Sequence, residues 1–330
     1  MEQDLITIGD VATDAFIKLK EASLNCNIHK DDCEICLKFA SKIPYESVKV
    51  IPAGGNSANV AIGGAKLGLK VASISNIGDD ENGQKIIQSL KDYSVETALV
   101  KKNIGIASNY NYVLWYEDDR TILVKHEDFR YELPEFAPPK WIFLTSLGEN
   151  SLDLHHAVSR YLEEHPETKL AFSPGTMQVR AGYEKLSDIY KATEIYFSNK
   201  EEAMKILKTT DEDVQKLLTG IKALGPKIVV ITNSADGAYV LDKDKIWHSP
   251  IFPMETKIIE KTGAGDAFTS AYLVATLLGL PTDKALAWGA VNSSSVIGQV
   301  GPHDGLLNKE QIETYLSNPP AKFSVTATLT

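Results

Sequence analysis

Short runs of apolar residues alternate along most of the chain with stretches in which apolar residues recur every three or four positions. The run at residues 4–9 predicts a buried strand, and residues 152–164 show the spacing of an amphipathic helix. Further short apolar runs predict buried strands at residues 141–146, 170–173, 194–198 and 227–232. Because strands that alternate with helices are joined by right-handed crossovers, the pattern predicts an α/β fold with a parallel sheet.

Two other patterns depart from this alternation. Residues 106–115 and 121–125 alternate between apolar and polar positions on either side of residues 117–120, which predicts a β-hairpin. Residues 322–329 also alternate and predict a late edge strand. From Phe268 onward, apolar residues at helical spacing continue as far as Gly279, which predicts a long apolar helix.

The composition of the chain says more about the partners of the protein than about its fold. The 330 residues are 43% hydrophobic and 24% charged, which are ordinary values for a globular chain with a sizeable core. The net charge of −10 disfavours nucleic acid and anionic membrane surfaces as partners. The first residues lack the basic and apolar regions of a signal peptide, and the apolar run at residues 271–280 is too short to span a bilayer. We therefore expect a cytoplasmic protein without a nucleic-acid or membrane partner.

Candidate chemistry is concentrated where the long apolar helix begins. Gly263, Ala264 and Gly265 precede the carboxylate of Asp266 at the predicted helix start. Backbone N–H groups at a helix N-terminus are unpaired and carry partial positive charge, so a loop without bulky side chains there can surround an anion. Phosphoryl transfer to a hydroxyl needs such charge stabilisation and a base for the attacking group. The alternative interpretation is a Gly-rich turn that only joins a strand to a helix.

A second Gly-rich stretch occupies residues 52–59 and leads into a predicted helix of small residues. Gly54 and Gly55 let the backbone approach a ligand, and Asn59 offers both a donor and an acceptor. The stretch lacks the Gly-Lys-Ser/Thr ending of a P-loop and the G-x-G-x-x-G spacing of dinucleotide-binding folds. Asp14 follows the first predicted strand. Because ligands of open α/β sheets bind beyond the carboxyl ends of strands, we expect Asp14 to bind a ligand.

Together these stretches resemble the signatures of one protein family. Residues 262–266, Thr-Gly-Ala-Gly-Asp, followed by Ala-Phe, resemble the C-terminal signature of the ribokinase/PfkB family of carbohydrate and nucleoside kinases. Residues 54–59 resemble its N-terminal signature, and residues 78–83 resemble its Gly-Asp-Asp-x-x-Gly stretch. The resemblance implies a ribokinase-like three-layer α/β/α domain with a mostly parallel central sheet and a small β lid. The implied boundaries are residues 1–10, 51–104 and 126–330 for the α/β nucleotide-binding and catalytic core, and residues 11–50 and 105–125 for the lid.

By this resemblance we expect an ATP-dependent carbohydrate kinase that phosphorylates a hydroxyl of a small sugar or sugar-like acceptor. Asp266 would act as the general base, and the backbone amides of Gly263, Ala264, Gly265 and Asp266 would form the anion hole. The expected acceptor-binding residues are Asp14, Gly54, Gly55, Asn59, Asn109 and Glu149. A nucleoside kinase of the same fold and a catalytically inactive sugar- or nucleotide-binding regulator are the alternatives. A nucleoside would need an apolar clamp, for which Phe16, Tyr112 and Trp115 are candidates.

The resemblance also implies cofactors. The expected ATP and Mg²⁺ residues are Asn199, Glu202, Thr232, Ser234, Gly237 and Asn292. A helix cap explains Asn199 equally well, and Ser234 stands where the family usually has glycine. The residues that correspond to the family's monovalent-cation loop are Glu260, Thr262, Val296 and Gly301. Glu260 replaces the usual Asp and Lys261 a common Thr, which leaves a requirement for K⁺ open. A homodimer through the lid is an assembly that the resemblance allows.

A cluster of thiols lies in the long segment after the first strand. Cys26, His29, Cys33 and Cys36 have a spacing that could bind zinc tetrahedrally. Against zinc, His29 follows Cys26 closely, and the acidic residues between the candidate ligands favour a solvated loop. We predict no structural metal here and expect the cysteines to be reduced.

Overall fold

The computed structural model describes residues 2–27, 33–117, 119–255 and 257–329. Its main sheet contains eleven strands within these ranges. In chain order they are β1 (Leu5–Ile8), β6 (Val71–Gly78), β7 (Val95–Glu96), β8 (Val100–Asn103), β11 (Trp141–Leu144), β12 (Lys169–Phe172), β13 (Thr193–Asn199), β14 (Ile228–Thr232), β15 (Ala238–Asp242), β16 (Lys245–Ser249) and β17 (Thr326–Leu329). Their order across the sheet is β17-β16-β15-β14-β13-β12-β11-β1-β6-β7, with β8 also paired to β6.

Strand β1 lies inside the sheet, and this position explains why its sequence is apolar. All four of its residues are buried, and they pair in parallel register with β6 on one side and β11 on the other. Strands of a parallel sheet are covered on both faces, so they are built from continuous apolar runs. The pairings from β6 to β14 are parallel, whereas β15, β16 and β17 are added antiparallel at one edge. The predicted late edge strand is thereby confirmed as β17.

Helices cover both faces of the sheet. They are α1 (Asn56–Lys66), α2 (Glu81–Asp92), α3 (Leu152–Glu164), α4 (Thr176–Ala181), α5 (Ser187–Ala192), α6 (Lys200–Leu207), α7 (Val214–Ala223), α8 (Ala264–Leu277), α9 (Thr282–Val296) and α10 (Lys309–Ser317). One buried apolar cluster joins α1, α2, α8, α9 and α10 to one face of the sheet. A second cluster joins α3, α5, α6 and α7 to the other face. The predicted three-layer α/β/α fold is confirmed.

A smaller four-stranded sheet lies in the segments for which a lid is predicted, and it is called the lid below. Its strands are β2 (Ala12–Leu19), β5 (Tyr45–Gly54), β9 (Tyr110–Tyr116) and β10 (Asp119–Leu123), in the order β10-β9-β2-β5. Strands β9 and β10 are antiparallel, which confirms the predicted hairpin. A small apolar cluster of Phe16, Ile51 and Val113 packs against Val300 of the core. Because β5 continues to Gly54, the lid sheet leads directly into α1.

The cysteine segment forms a separate hairpin of β3 (Ser23–Cys26) and β4 (Cys33–Cys36). Cys26 and Cys33 lie opposite each other in this hairpin, with 4.0 Å between their Cα atoms, and they form a disulfide. The prediction that the cysteines are reduced is therefore wrong for this pair, because the strand register brings the two side chains together. Cys36 is a free thiol, and His29 lies outside the described residues. No helix among the described residues is long and apolar enough to cross a membrane.

Candidate active site

The carboxylate of Asp266 lies in the first turn of α8. Gly263 precedes the helix with a φ of 81°, and a Cβ at this position would lie 2.3 Å from the Cβ of Pro302. Both observations explain why a residue with a side chain does not fit there. The amide of Ala264 donates a long hydrogen bond of 3.3 Å to the carbonyl of Lys261. The first turn of a helix leaves its amides without partners in the helix itself, so this end of α8 can receive an anion.

Two asparagines at the start of α1 hold the Asp266 carboxylate. Asn56 donates from Nδ2 to Oδ1 over 3.0 Å, and Asn59 donates from Nδ2 to Oδ2 over 2.7 Å. The Oδ1 atom of Asn59 lies 2.9 Å from Nε2 of the buried His303. Since an amide oxygen accepts, Nε2 of His303 is the donor. Burial lowers the pKa of His303 to about 4, so this imidazole is neutral at neutral pH. The chain of contacts fixes the orientation of Asp266.

The close approach of α1 and α8 depends on small residues one turn further along each helix. Gly63 follows Asn59 by four residues, and Ser270 follows Asp266 by four residues, so each pair lies on one face of its helix. A Cβ on Gly63 would lie 2.4 Å from Oγ of Ser270. The absence of a side chain at Gly63 therefore lets the two helices lie close enough for Asn59 to reach Asp266.

Opposing effects act on the proton affinity of Asp266. Burial raises its pKa above the ordinary value, whereas the hydrogen bonds from Asn59 and Asn56 and the positive charge of Arg120 lower it. An aspartate with a raised pKa is a better proton acceptor than one exposed to water. The environment of Asp266 thus suits a general base.

Asp14, on the lid strand β2, is the second carboxylate of this cleft. It is buried and accepts a hydrogen bond of 2.9 Å from Nδ2 of Asn111 on β9. Burial raises its pKa to about 6, the bond from Asn111 opposes this shift, and the negative charge of Asp266 adds to it. A Cβ on Gly54 would lie 2.1 Å from Oδ2 of Asp14, so Gly54 provides the space for this carboxylate. Gly55 has a φ of 89°, which allows the sharp entry into α1.

Two other expected acceptor residues, Asn109 and Glu149, lie in surroundings that differ from those of Asp14. Asn109 is buried, and its side chain donates to the carbonyl of Val11 over 3.2 Å and accepts from the amide of Glu127 over 2.8 Å. It therefore joins the base of the lid to the core. Glu149 is exposed and lines a cavity of about 210 Å³ together with Arg180 and the buried His155.

Asn199 and Glu202 form a capping box at the start of α6. Asn199 accepts from the amide of Glu202 over 2.8 Å, and Glu202 accepts from the amide of Asn199 over 2.9 Å. The helix-cap interpretation of Asn199 is therefore confirmed. Burial, the larger cause, and the negative charge of Asp266 raise the pKa of Glu202. The negative charges of Glu202 and Asp266 thus act on each other, and carboxylates are ligands that Mg²⁺ accepts.

The other expected nucleotide residues divide into two groups. Thr232 ends β14, and the turn after it contains Ser234 with a φ of 43° and Gly237 with a φ of 87°. A Cβ at Gly237 would lie 2.0 Å from the carbonyl oxygen of Ser249. Asn292 is instead fully buried; it donates to the carbonyl of Ala267 and accepts from the amide of Leu307, each over 2.9 Å. The side chain of Asn292 therefore joins α8 and α9 and is fully buried, in contrast to the expected contact with ATP.

Glu260 is the acid of the predicted monovalent-cation loop, and it is fully buried. Its Oε1 accepts from the amide of Thr262 over 2.6 Å and also from the Thr262 hydroxyl, and Oε2 lies 3.4 Å from the amide of Gly301. Arg120 of the lid reaches the same carboxylate, with 3.5 Å between Nε and Oε1. Val296, at the end of α9, is also buried. A cationic side chain thus already neutralises the acid of this loop.

Several site residues were not predicted from the sequence. Asn56 lies inside the Gly-rich stretch of residues 52–59, so that motif was the available signal for it. Asn111 and Arg120 lie on the predicted hairpin, and His303 lies in the loop between α9 and α10. Their roles depend on contacts between segments far apart in the chain.

A family model described as pfkB family carbohydrate kinase matches residues 30–309, which is most of the chain. A 5-dehydro-2-deoxygluconokinase of Lacticaseibacillus casei is 25% identical over 346 residues, covering 97% of each chain. An uncharacterized sugar kinase of Archaeoglobus fulgidus is 26% identical over 252 residues, covering 74% of this chain and 98% of the relative.

Solved structures of other proteins share the fold of this chain. Arabidopsis thaliana ribokinase, complexed with ribose and ATP, superposes with a TM-score of 0.79 at 18% identity, covering 96% of this chain and 100% of the other. A Methanocaldococcus jannaschii nucleoside kinase superposes with a TM-score of 0.77 at 19% identity, covering 96% of this chain and 99% of the other. The chain belongs to the pfkB family of carbohydrate kinases, and it is an ATP-dependent carbohydrate kinase.

Proposed function

We propose that the protein transfers the γ-phosphoryl group of ATP to a hydroxyl of a small sugar or sugar acid, with Asp266 as the general base. The observation that carries this proposal is the Asp266 carboxylate in the first turn of α8, held by Asn56 and Asn59. It combines a proton acceptor with a helix N-terminus that stabilises anions.

In the proposed reaction an acceptor hydroxyl gives its proton to Asp266 while its oxygen forms a bond to the γ-phosphorus. The bond between that phosphorus and the β,γ-bridging oxygen breaks, and ADP leaves with the electron pair. The backbone amides at residues 263–266 stabilise charge on the transferred group. Mg²⁺, when held near Glu202 and Asn199, would neutralise part of the phosphate charge. Asp14 orients the acceptor through its hydroxyls, and the lid excludes water that would otherwise hydrolyse ATP.

The relatives favour a sugar acid over a nucleoside as acceptor. Several of the similar proteins carry the name 5-dehydro-2-deoxygluconokinase, whereas the likeness to a nucleoside kinase is one of fold. A phosphorylation screen with sugars, sugar acids such as 5-dehydro-2-deoxygluconate, and nucleosides tests this choice. Preferential phosphorylation of nucleosides would contradict it. Failure of every acceptor, with ATP and the candidate ligands still bound, would instead support a binding regulator.

Asp266→Asn tests the assignment of the base. Because asparagine keeps the size of the side chain but cannot accept the proton, kcat is expected to fall by about 10²–10⁴-fold while ATP binding is retained. Steady-state kinetics and ATP titration measure the two effects. Asp283→Asn is the matched control, because Asp283 lies in the first turn of the neighbouring helix α9. A kcat for Asp266→Asn within about threefold of the wild type would refute the role of Asp266 as base.

A further inference from the structure

Arg120 connects the lid to the loop that precedes the catalytic helix. It belongs to β10, yet its Nε atom is buried and lies 3.5 Å from Oε1 of Glu260. This Nε atom makes no hydrogen bond of good geometry in the described residues, so the interaction with Glu260 is mainly one of charge. The guanidinium also lies 3.3 Å from Asp119 of the same strand, an exposed carboxylate at the rim.

The charge of Glu260 needs a partner because its side chain is fully buried. An ionised carboxylate without a counter-charge in the interior is strongly destabilising. Lys261, the basic residue next to it, points elsewhere, with its Nζ 3.7 Å from Asp119. Within the described chain, Arg120 is the cationic group in ion-pair contact with Glu260.

The ion pair of Arg120 and Glu260 argues against a monovalent cation at the same loop. A K⁺ ion would have to share one carboxylate with a guanidinium that already neutralises it, so the two positive charges would repel each other. The amide and hydroxyl of Thr262 and the amide of Gly301 also point donors at Glu260. A carboxylate that accepts several donors has little remaining capacity for a metal ion. The residues of this loop therefore do not fit K⁺.

The same guanidinium acts on the catalytic base. Its positive charge lowers the pKa of Asp266 against the effect of burial. Since Arg120 is on the lid and both acids belong to the core, the contact places positive charge beside residues 260–266 when the lid covers the site.

We propose that Arg120 is a positioning residue that supplies a fixed positive charge to the anion-hole loop, in place of a soluble monovalent cation. This inference rests on the proposed kinase function. It makes the enzyme independent of K⁺, and it makes the charge of the loop depend on the position of the lid.

The first test compares activity in K⁺ with activity in tetramethylammonium, which is too large for a carbonyl-lined cation site. The wild type is expected to have the same kcat in both salts within about twofold. Arg120→Gln is expected to lose about 10–100-fold in kcat without K⁺, and K⁺ is expected to restore part of this loss. Arg120→Lys keeps the charge and is expected to retain most of the activity. A wild type that K⁺ activates about tenfold or more would overturn the proposal.

Two further measurements separate this role from a merely structural one. Without the charge of Arg120 the pKa of Asp266 rises, so the acid limb of kcat/KM moves to higher pH in Arg120→Gln and returns in Arg120→Lys. Thermal unfolding in the two salts needs no kinase assay; K⁺ is expected to raise the Tm of Arg120→Gln but not that of the wild type. Arg130→Gln is the matched control, because Arg130 forms an exposed pair with Glu132 over 2.8 Å.

The outcomes also distinguish the two proposals. If the wild type phosphorylates no acceptor, the proposed function fails, and the salt dependence of the Tm still tests the cation at this loop. If the wild type is an active kinase whose Tm rises specifically in K⁺, the Arg120 proposal fails alone. An unchanged kcat and an unmoved acid limb in Arg120→Gln would also refute it.

Discussion

Asp14 illustrates at the level of one residue how a site for hydroxyl groups is built at a cost to stability. Its carboxylate is buried and accepts one described hydrogen bond, from Asn111, while Asp266 adds negative charge to the same cleft. A charged group in such a place is destabilising unless a ligand supplies further donors. The hydroxyls of the proposed acceptor are such donors, so acceptor binding is expected to offset the destabilising effect of Asp14.

Asp14→Asn is therefore expected to stabilise the protein while weakening acceptor binding. The folded pKa of about 6 lies above the ordinary value of 3.8, so the folded state binds the proton more tightly than the unfolded state. At a pH below the ordinary pKa, Asp14 is protonated in both the folded and the unfolded state, so the variant is not more stable than the wild type. As the pH rises through 6 the wild type loses stability relative to the variant, by about 3 kcal/mol at most.

Urea unfolding of both proteins at pH 4 and pH 8 measures this difference, and acceptor KM measures the loss of binding. Asn111 can still donate to the amide oxygen of the variant, so its hydrogen bond does not confound the comparison. A variant that is less stable than the wild type at pH 8 would show that Asp14 is well compensated in the folded protein.

Two of the site residues that the sequence predicted are recognised from their local surroundings. Asp266 and Gly263 belong to a helix start, and that combination can be recognised from a few neighbouring residues. Arg120 and His303 could not be predicted, because each acts on a segment far away in the chain. Asn292 shows the opposite error, since a residue expected to bind the nucleotide is a buried connection between two helices.

At the level of elements, α6 and α10 begin with the same device. Both helices start with an asparagine in a capping box, Asn199 with Glu202 and Asn308 with Gln311. The first box differs from the second in its electrostatics, since the negative charge of Asp266 helps to raise the pKa of Glu202. Asn308 makes its side-chain hydrogen bond within the first turn of α10. One box is thus structural, and the other combines structure with a proposed role in binding Mg²⁺.

Asn199→Ala and Asn308→Ala separate the two roles. Each loses an N-cap hydrogen bond, so each is expected to lower the free energy of unfolding by about 1 kcal/mol. Only Asn199→Ala is expected to raise the Mg²⁺ concentration needed for half-maximal activity. Denaturant unfolding and Mg²⁺ titration of kcat are the measurements. If both variants respond alike to Mg²⁺, Asn199 is a helix cap and nothing more.

At the level of the whole molecule, the core and the lid differ in how much apolar surface holds them. The sheet has a large buried apolar cluster on each face, whereas the apolar cluster of the lid consists of three buried residues packed against Val300. Few buried contacts permit local opening at a small fraction of the global stability. The lid is therefore expected to open without unfolding of the core, as a lid that admits substrates must.

Val113→Ala in the lid and Val230→Ala in β14 test this difference, since both valines are buried. Val113→Ala is expected to speed hydrogen exchange in β2 and β9 with little change in global stability. Val230→Ala is expected to lower the free energy of unfolding by about 2 kcal/mol. Mass-spectrometric hydrogen exchange and urea unfolding measure both effects. Equal losses of global stability would mean that lid and core unfold as one unit.

The overall fold was predictable because its strands and helices alternate in a regular pattern that needs no knowledge of tertiary contacts. The hairpin of β3 and β4 was not, since its apolar content is low and its disulfide depends on a register that the sequence alone does not define. Residues 28–32, which include His29, lie outside the described structure.

The fit of Gly63 against Ser270 has a consequence for how this enzyme can diverge or be redesigned. Both residues lie on the helix faces that carry Asn59 and Asp266, and there is no room between them for one more carbon atom. A methyl group added at this point would push the two helices apart and separate Asp266 from the side-chain amide of Asn59 that orients it, although neither of these residues had changed. Substitutions at Gly63 and Ser270 are therefore coupled. A larger side chain on one helix is tolerated only if the residue on the other helix becomes smaller. In library design the pair belongs with the active site rather than with the freely variable interior.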